Sequence, residues 1–389
     1  MFTLRILAGH IYPYIVIYQP LRKETIAMEQ HTWSRRTMLR TGVLGAATLV
    51  AAPAVLAACG DSESDTSSAS GSDSSATDFG TLDLQLSWVK NNSFAGIYIA
   101  DQEKYFADAG FSKVELLAGG PNVAPDEVVA SGTALLGTTN TDTAAFAILA
   151  GSGTIVIASH FLTNPFCVVS LPDAPIRKPS DMEGKKIGVT AYNQTVWEAF
   201  LEAAGVDAAK VTVFPVQFDP SPLTNGEVDG YVGFVNDQPA SLEAQGVKFE
   251  IMMFADFGYQ LVQESVIVKK SALESQRAAI KAALIADIKG WRKSVEDPDL
   301  GPKLTTTIYG KDLGITIEQL KFSSAYQKDL VYPASAATNG VLLVTEELQA
   351  ASITSLGLGG IDITAEELFD MSLMEEIYKE NPELTAAIS

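Results

Sequence analysis

Basic residues, histidine and cysteine are scarce in this chain. Its 389 residues include 27 Lys and Arg against 47 Asp and Glu, which gives a formal net charge of −20. So acidic a surface argues against nucleic acid and anionic lipid as direct partners, because both repel negative charge. Histidine occurs three times and cysteine twice, and the sequence has no zinc-type spacing, catalytic-triad pattern or phosphate-binding glycine loop.

An export signal is predicted near the N-terminus. Residues 28–59, MEQHTWSRRTMLRTGVLGAATLVAAPAVLAAC, run from a basic start through a moderately apolar middle to a small-residue end. Within them, SRRTMLR resembles a twin-arginine signal and LAAC resembles the lipobox of bacterial lipoproteins, which implies cleavage before Cys59 and lipidation of its thiol. The alternative is that Arg35 and Arg36 belong to a general secretory signal and that Cys59 is an incidental thiol.

The chain is divided into regions by these signals. Residues 1–27 fit no signal and are interpreted as an upstream extension, with 28–58 as the signal peptide. The lipidated Cys59 then begins a serine-rich tether over 59–80, too polar to bury enough apolar surface to offset its ordering entropy. Loss of 1–58 removes six Lys/Arg and two Asp/Glu, so the charge of −20 falls by 4 to −24. Cys167 is then the only other cysteine, so no internal disulfide is available.

Strand and helix patterns alternate from residue 81 onward. TLDLQLSW alternates apolar residues, and FAGIYIADQEKYFADAG follows with a helical repeat that ends at Gly110. A second such series begins at KKIGV, and ESVIVKK offers a strand that crosses back. We therefore predict an α/β protein of two lobes, each a mostly parallel sheet with flanking helices. Lobe 1 is predicted to comprise residues 81–165 plus 268–389, and lobe 2 residues 166–267.

Aromatic and amide side chains follow the predicted strands, where ligands bind in open α/β sheets. Trp88 is expected to stack on a ligand, although a core position would also suit it, and the amides fit helix caps and turns equally well. Lys90 is the only Lys or Arg in the segments that follow the predicted strands, which are 88–94, 119–122, 138–142, 159–164, 190–195, 217–220, 236–239 and 256–259. The predicted ligand-binding residues are Trp88, Asn91, Asn92, Asn122, Asn140, Asp142, Asn164, Tyr192, Asn193, Gln194, Phe218, Asn236, Asp237, Gln238 and Tyr259.

Ligand chemistry is predicted from the scarcity of cations in those segments. Sulfonates, nitrate and phosphates favour arginine forks or exposed amide nests, and only amides are available here. A planar, mostly neutral heterocycle suits the segments better, because aromatic rings stack on its faces and Asn and Gln pair with its edge.

Three motifs, in order, resemble the NMT1/THI5-like family of solute-binding proteins. They are LSWVKNNSFAGIYIADQEKYFADAGF, then LLAGGPN with VVASGTALLG, then DPSPLTNGEVDGYVGFVNDQP, within a resemblance that covers residues 81–273. The resemblance implies a type II periplasmic-binding-protein fold that delivers a small molecule to ABC permease subunits, and we expect a monomer. With Cys59 lipidated, the protein would be extracytoplasmic and anchored by its lipid to the bacterial cell membrane. Relatives bind pyrimidine precursors of thiamine, riboflavin, nitrate or sulfonates.

The resemblance leaves several functions open. In pyrimidine-binding relatives a glutamate follows the asparagine near NDQP, whereas this chain has Asp237 and Gln238, which shifts the preference towards a riboflavin-like ring over a thiamine-pyrimidine precursor. A nitrate-, sulfonate- or taurine-binding protein is the main alternative. One branch of the family synthesises the thiamine pyrimidine with a histidine, iron and a cysteine-rich segment. After residue 58 this chain has only His160 and no cysteine cluster, so we predict a binding protein that is not an enzyme and uses no cofactor or metal.

Overall fold

The computed structural model describes residues 77–120 and 122–388. The upstream extension, the predicted signal peptide, Cys59 and most of the tether lie outside these residues. Within the described ranges, ten strands form two five-stranded sheets. The strands are β1 (Gly80–Gln85), β2 (Phe111–Leu117), β3 (Leu136–Thr139), β4 (Thr154–Phe161), β5 (Phe166–Ser170), β6 (Lys186–Thr190), β7 (Thr212–Val216), β8 (Gly230–Phe234), β9 (Glu250–Met253) and β10 (Gln263–Lys269).

The helices lie around the sheets and after the last strand. They are α1 (Ala95–Gln102), α2 (Tyr105–Asp108), α3 (Pro125–Ser131), α4 (Thr141–Leu149), α5 (Gln194–Ala203), α6 (Ser221–Thr224), α7 (Gln238–Ala244), α8 (Lys270–Ser275), α9 (Arg277–Glu296), α10 (Leu300–Leu304), α11 (Ile317–Val331), α12 (Ala334–Asn339), α13 (Glu346–Leu358), α14 (Ala365–Leu368) and α15 (Ser372–Glu380). None of the helices in the described ranges is both long and apolar enough to span a bilayer.

Each sheet has four parallel strands and one antiparallel strand. The first sheet has the order β2-β1-β3-β10-β4, in which β10 runs antiparallel to both neighbours. The second has the order β7-β6-β8-β5-β9, in which β5 is the antiparallel strand. These two strands are the ones that enter lobe 2 and return to lobe 1. The predicted α/β class with two mostly parallel sheets is confirmed.

Two crossing segments connect the lobes: residues 162–165, between β4 and β5, and residues 254–262, between β9 and β10. β10 pairs with β3 and β4 in the first sheet, so residues 263–267, which the sequence pattern placed in lobe 2, lie in lobe 1. The two crossings touch at Asn164, whose Nδ2 donates to the carbonyl oxygen of Tyr259 at 2.9 Å. Asn164 Oδ1 also accepts from the backbone N–H of Phe166 at 2.9 Å. Both polar atoms of its side-chain amide therefore stabilise the junction between the lobes.

The core of lobe 1 depends on close packing between α1 and α9. A Cβ atom on Gly290 would overlap the carbonyl oxygen of Gly96, and one on Gly96 would overlap the ring of Trp291. Glycine at both positions therefore lets the helices approach closely. Trp291 is fully buried there, and Trp197 is likewise fully buried in lobe 2.

The C-terminal helices contact both lobes. α15 packs on β4 and α9 of lobe 1, whereas α11 also packs on α7 and α13 on α5 of lobe 2. The Tyr326 hydroxyl donates to Glu243 at 3.2 Å, and Ser355 Oγ donates to the carbonyl oxygen of Gln260 at 2.6 Å. α11 therefore packs against both lobes, beside the space between them.

Candidate ligand-binding cleft

A cleft lies between the two lobes, at the carboxyl ends of several strands. It contains about 620 Å³ of space free of protein atoms, including the part open to solvent. Lobe 1 contributes Ser87, Trp88, Asn91, Ser93, Asn140 and Glu264. Lobe 2 contributes Thr190, Tyr192, Asn193, Phe218, Val232, Gly233, Phe234, Asp237 and Gln238. Aromatic and polar side chains from both lobes therefore line this space, as they do in ligand-binding clefts.

Three aromatic rings meet across the cleft. Trp88 follows β1 in lobe 1, and its ring centroid lies 4.8 Å from that of Phe218 and 6.2 Å from that of Tyr192 in lobe 2. Phe218 is 43% exposed and Tyr192 is 53% exposed, which is a large apolar surface to leave in water. The interplanar angles of 58° and 44° show that the rings are tilted rather than stacked on each other. Trp88 and Phe218 are therefore already in contact, and a flat ligand enters between them only when the lobes move apart.

Two carboxyl groups line the same space. Glu264, only 4% exposed, accepts a hydrogen bond from Ser87 Oγ at 2.7 Å. Burial raises its pKa to about 7, although the Ser87 hydrogen bond and nearby His160 oppose this shift. Burial also raises the pKa of Asp237 to about 6. Among the described residues, those lining the cleft include no Lys or Arg, so neither acid has a cationic partner there.

The backbone at Glu264 is unusual. Its φ of 53° lies in the left-handed region, which residues other than glycine rarely adopt. Such a conformation persists where surrounding contacts over-determine it, and it occurs often at functional sites. Its neighbours Gln263 and Ser265 both pair with β4, at Phe161 and Ser159, but only Ser265 also pairs with β3, at Thr139.

Amide groups connect the walls of the cleft. Asn140 Nδ2 donates to the Tyr192 hydroxyl at 3.3 Å across the gap between the lobes. Gln238 uses its Oε1 to accept from the Phe234 N–H at 3.0 Å and its Nε2 to donate to the Phe218 carbonyl at 3.3 Å. Asn91 Oδ1 accepts from the backbone N–H of Ser93 at 3.0 Å, as a helix cap does. Asn91 and Gln238 thus line the cleft and also hold the backbone of its walls in place.

The structure brings about half of the sequence-predicted site residues to the cleft. Those that line it are Trp88, Asn91, Asn140, Tyr192, Asn193, Phe218, Asp237 and Gln238. Those that do not line it are Asn92, Asn122, Asp142, Asn164, Gln194, Asn236 and Tyr259.

The residues away from the cleft have other contacts. Asn92 Nδ2 points to α11, where it donates to Ser324 and Gln327 at 3.0 Å each. Gln194 donates to Glu198 at 2.6 Å on the surface of α5. Tyr259 is buried beside Phe254, and Asn164 joins the crossings as described above.

Three more of these residues lie elsewhere around the lobes. Asn122 is exposed in a turn, and Asp142 lies in the first turn of α4, where burial raises its pKa. Asn236 is fully buried, and its Nδ2 donates to Ser93 Oγ at 3.4 Å, across the interface between the lobes.

Sequence reasoning missed seven lining residues: Ser87, Ser93, Thr190, Val232, Gly233, Phe234 and Glu264. Ser87 and Ser93 lie inside the motif that contains Trp88, but serine is equally typical of turns and helix caps, so its presence there did not distinguish them. Glu264 lies in the returning strand, and only its acidic character within the apolar segment QESVIV distinguished it.

The two lobes and the cleft between them have the fold of periplasmic binding proteins. The periplasmic aliphatic sulphonate binding protein SsuA from Escherichia coli superposes with a TM-score of 0.56 at 13% identity, over 79% of this chain and 89% of that one. The nitrate-binding protein NrtA from Synechocystis PCC 6803 gives 0.57 at 12% identity, over 79% and 92%. At this identity the likeness establishes the fold.

Sequence comparison identifies the family. The model of the NMT1/THI5-like family matches residues 91–300, more than half of the chain, and the protein belongs to that family. It is 25% identical over 224 residues to a formylaminopyrimidine-binding protein from Halalkalibacterium halodurans, covering 56% of this chain and 68% of the relative. It is 21% identical over 230 residues to the riboflavin-binding protein RibY from Chloroflexus aurantiacus, covering 56% and 63%, which is less than two thirds of that relative.

Proposed function

We propose that this protein is an extracytoplasmic solute-binding lipoprotein of an ABC importer and that it captures a small planar heterocycle between its lobes. The observation that carries the proposal is the group of Trp88, Tyr192 and Phe218 facing each other across the cleft. Once the lobes part far enough to admit it, a flat ring between them would gain stacking contacts with both lobes at once. Binding would thereby favour the closed arrangement of the lobes.

The polar groups of the cleft favour a ligand with hydrogen-bond donors at its edge. Glu264 and Asp237 accept hydrogen bonds when ionised, and each can also donate one when protonated. Ring N–H and amino groups complement these acids, whereas a sulfonate or nitrate would face two carboxyl groups without a Lys or Arg among the described lining residues. A riboflavin-like ring and an aminopyrimidine both have such an edge. The two curated relatives named for riboflavin and formylaminopyrimidine agree with this ligand class.

The position of His160 supports binding over catalysis. The histidine is fully buried in β4, its Nε2 lies 2.8 Å from Asp287 Oδ2, and its ring packs 4.9 Å from that of Trp291. It does not line the cleft. A synthase that used this histidine would need it in contact with the bound ring, so we infer a structural role for it.

Calorimetry with four ligands tests the proposed function. We expect saturable binding of riboflavin or of 4-amino-5-hydroxymethyl-2-methylpyrimidine, and none of taurine or nitrate, because only the first two present a stacking face and donor groups. Mass spectrometry of small molecules released by denaturing the purified protein provides an independent check. Tight binding of taurine or nitrate in place of both heterocycles would contradict the proposed ligand class and leave the fold assignment intact.

The anchor is tested by changing Cys59 to serine, because serine has no thiol to lipidate. We expect the variant to remain unprocessed or to be released from the membrane fraction, as followed by fractionation and immunoblotting. Lysine at Arg35 and Arg36 tests the export route separately. Mature Cys59→Ser protein that still partitions with membranes would contradict the lipoprotein proposal, and normal export of the double lysine variant would favour the general secretory route.

A further inference from the structure

A second, smaller pocket adjoins the cleft on the side of α11. This side pocket contains about 250 Å³ of space free of protein atoms, including the part open to solvent. Asn91 and Asp237 line both the cleft and the side pocket. The remaining walls come from Asn92, Asn236, Ala240, Ile315, Gln319, Leu320 and Ser323. The side pocket is therefore enclosed by lobe 1, lobe 2 and the C-terminal helix α11.

We propose that the cleft and the side pocket form one bipartite site, in which the side pocket holds a neutral, hydroxyl-bearing substituent of the bound ring. This inference rests on the proposed function, since it needs a heterocycle in the cleft. It assigns a binding role to α11, which lies beyond the motifs that predicted the rest of the site.

Asn236, which lines the side pocket, has a buried side-chain oxygen without a partner among the described residues. Asn236 is fully buried, and within the described residues its Oδ1 accepts no hydrogen bond. Its Nδ2 is already used by Ser93 Oγ at 3.4 Å. Buried polar atoms are normally hydrogen-bonded, so this oxygen calls for a donor from outside the protein, either a water molecule or a ligand. A ligand hydroxyl in the side pocket would supply that donor.

The other walls define the charge and polarity of the substituent. Gln319 and Ser323 are four residues apart on α11, so they lie on the same face of the helix. With the Asn side chains they offer both donors and acceptors, whereas Leu320 and Ala240 give apolar contacts. Among the described residues that line the side pocket, Asp237 is the only one with an ionisable side chain, and none is Lys or Arg. A phosphate or carboxylate would be repelled, so a polyol fits and a phosphorylated tail does not.

The wall formed by α11 is held in place before any ligand binds. Asn92 Nδ2 donates to Ser324 and Gln327 of α11, and Gln327 Nε2 donates to the carbonyl oxygen of Ser93 at 3.3 Å. These bonds join α11 to the same turn that presents Asn91 and Trp88. A preformed wall costs a ligand less ordering entropy than a mobile one.

Matched flavins test the bipartite site. Riboflavin and lumiflavin share one ring system, but riboflavin has a ribityl chain where lumiflavin has a methyl group, and riboflavin 5′-phosphate adds a charge to that chain. By calorimetry we expect riboflavin to bind at least about tenfold more tightly than lumiflavin, and the phosphate ester to bind more weakly than riboflavin. If the protein prefers the smaller ring, 4-amino-5-hydroxymethyl-2-methylpyrimidine and 4-amino-2,5-dimethylpyrimidine form the equivalent pair.

Variants in α11 test whether the preference for the hydroxylated ligand arises in the side pocket. Ser323→Leu fills the side pocket and should bring the affinity of the hydroxylated ligand to within about threefold of its methyl analogue, while the methyl analogue binds as before. Gln319→Ala removes one polar group from a half-buried position and should act in the same direction more weakly, which covers the case of a poorly folded Ser323→Leu variant. Ala325→Leu adds the same bulk at an exposed position of α11 and should change neither affinity.

The possible results separate this inference from the proposed function. Equal binding of the hydroxylated and methyl ligands, unaffected by Ser323→Leu and Gln319→Ala, would overturn the side-pocket assignment and leave the heterocycle-binding function standing. Tighter binding of the phosphate ester than of riboflavin would overturn the predicted neutrality of the substituent. Failure of all the flavins and pyrimidines to bind would overturn the proposed function and, with it, the side-pocket assignment.

Discussion

Replacement of Trp88 by alanine is expected to weaken heterocycle binding by about tenfold to a hundredfold. The change removes the lobe 1 ring from the group formed with Phe218 and Tyr192. Loss of a large apolar contact with the ligand costs roughly 1.5–3 kcal/mol, which converts to that range of affinity. Calorimetry of the wild-type and Trp88→Ala proteins, with riboflavin or the hydroxymethyl-aminopyrimidine, measures the effect.

Two control variants accompany this experiment. Trp88→Phe keeps an aromatic face and should retain most of the affinity. Phe146 is 49% exposed on α4 and does not line the cleft, so Phe146→Ala should bind as wild type does. Trp88 is only partly buried, and we therefore expect Trp88→Ala to fold normally, as judged by circular dichroism. Unchanged affinity in a folded Trp88→Ala protein would contradict the stacking role.

The stability of the ligand-free protein is expected to fall with rising pH because of Glu264. The pKa of this group is about 7 in the folded state against an ordinary value of 4.5, mainly because burial disfavours the carboxylate. Between these values the folded state holds a proton that the unfolded state has released, so the free energy of unfolding decreases as pH rises. The contribution is fully present below about pH 4.5, is lost as pH rises through 7, and amounts to roughly 3 kcal/mol.

Glu264→Gln isolates this contribution, because glutamine stays neutral across the range. Denaturant unfolding of the ligand-free proteins at several pH values between 4.5 and 8 should show a smaller loss of stability in the variant than in wild type. Asp237→Asn provides the matched comparison, since the pKa of Asp237 is raised from 3.8 only to about 6 and its effect should be complete at lower pH. Identical pH dependence in wild type and Glu264→Gln would show that Glu264 is not buried as a protonated acid.

Much of the architecture could be predicted from the sequence because its signals are local. The alternation of apolar residues in TLDLQLSW and the helical repeat that follows are read over a few residues, and both elements occur in the structure as β1 and α1. The rule that ligands bind beyond the carboxyl ends of strands then directed attention to Trp88 and to the segments around Tyr192 and Phe218. Those three residues do meet across the cleft.

The roles of neighbouring polar residues could not be predicted in the same way. Asn91 and Asn92 are adjacent and chemically identical, yet Asn91 lines the cleft and Asn92 bonds to Ser324 and Gln327, more than 230 positions later in the chain. Asp237 lines the cleft, while Asn236 beside it lines only the side pocket. Successive side chains point in different directions, and the partner that each one meets is placed by distant parts of the fold.

The sequence by itself determined the two-lobed α/β architecture, the aromatic character of the space between the lobes and the scarcity of cations near it, since periodicity and composition are local properties. The tertiary structure alone decided that Glu264 enters the cleft, because its left-handed backbone and its hydrogen bond with Ser87, 177 positions away, depend on strand pairing. It also decided that α11 closes the side pocket. Long-range contacts such as these form when the chain packs, and no short stretch of sequence contains them.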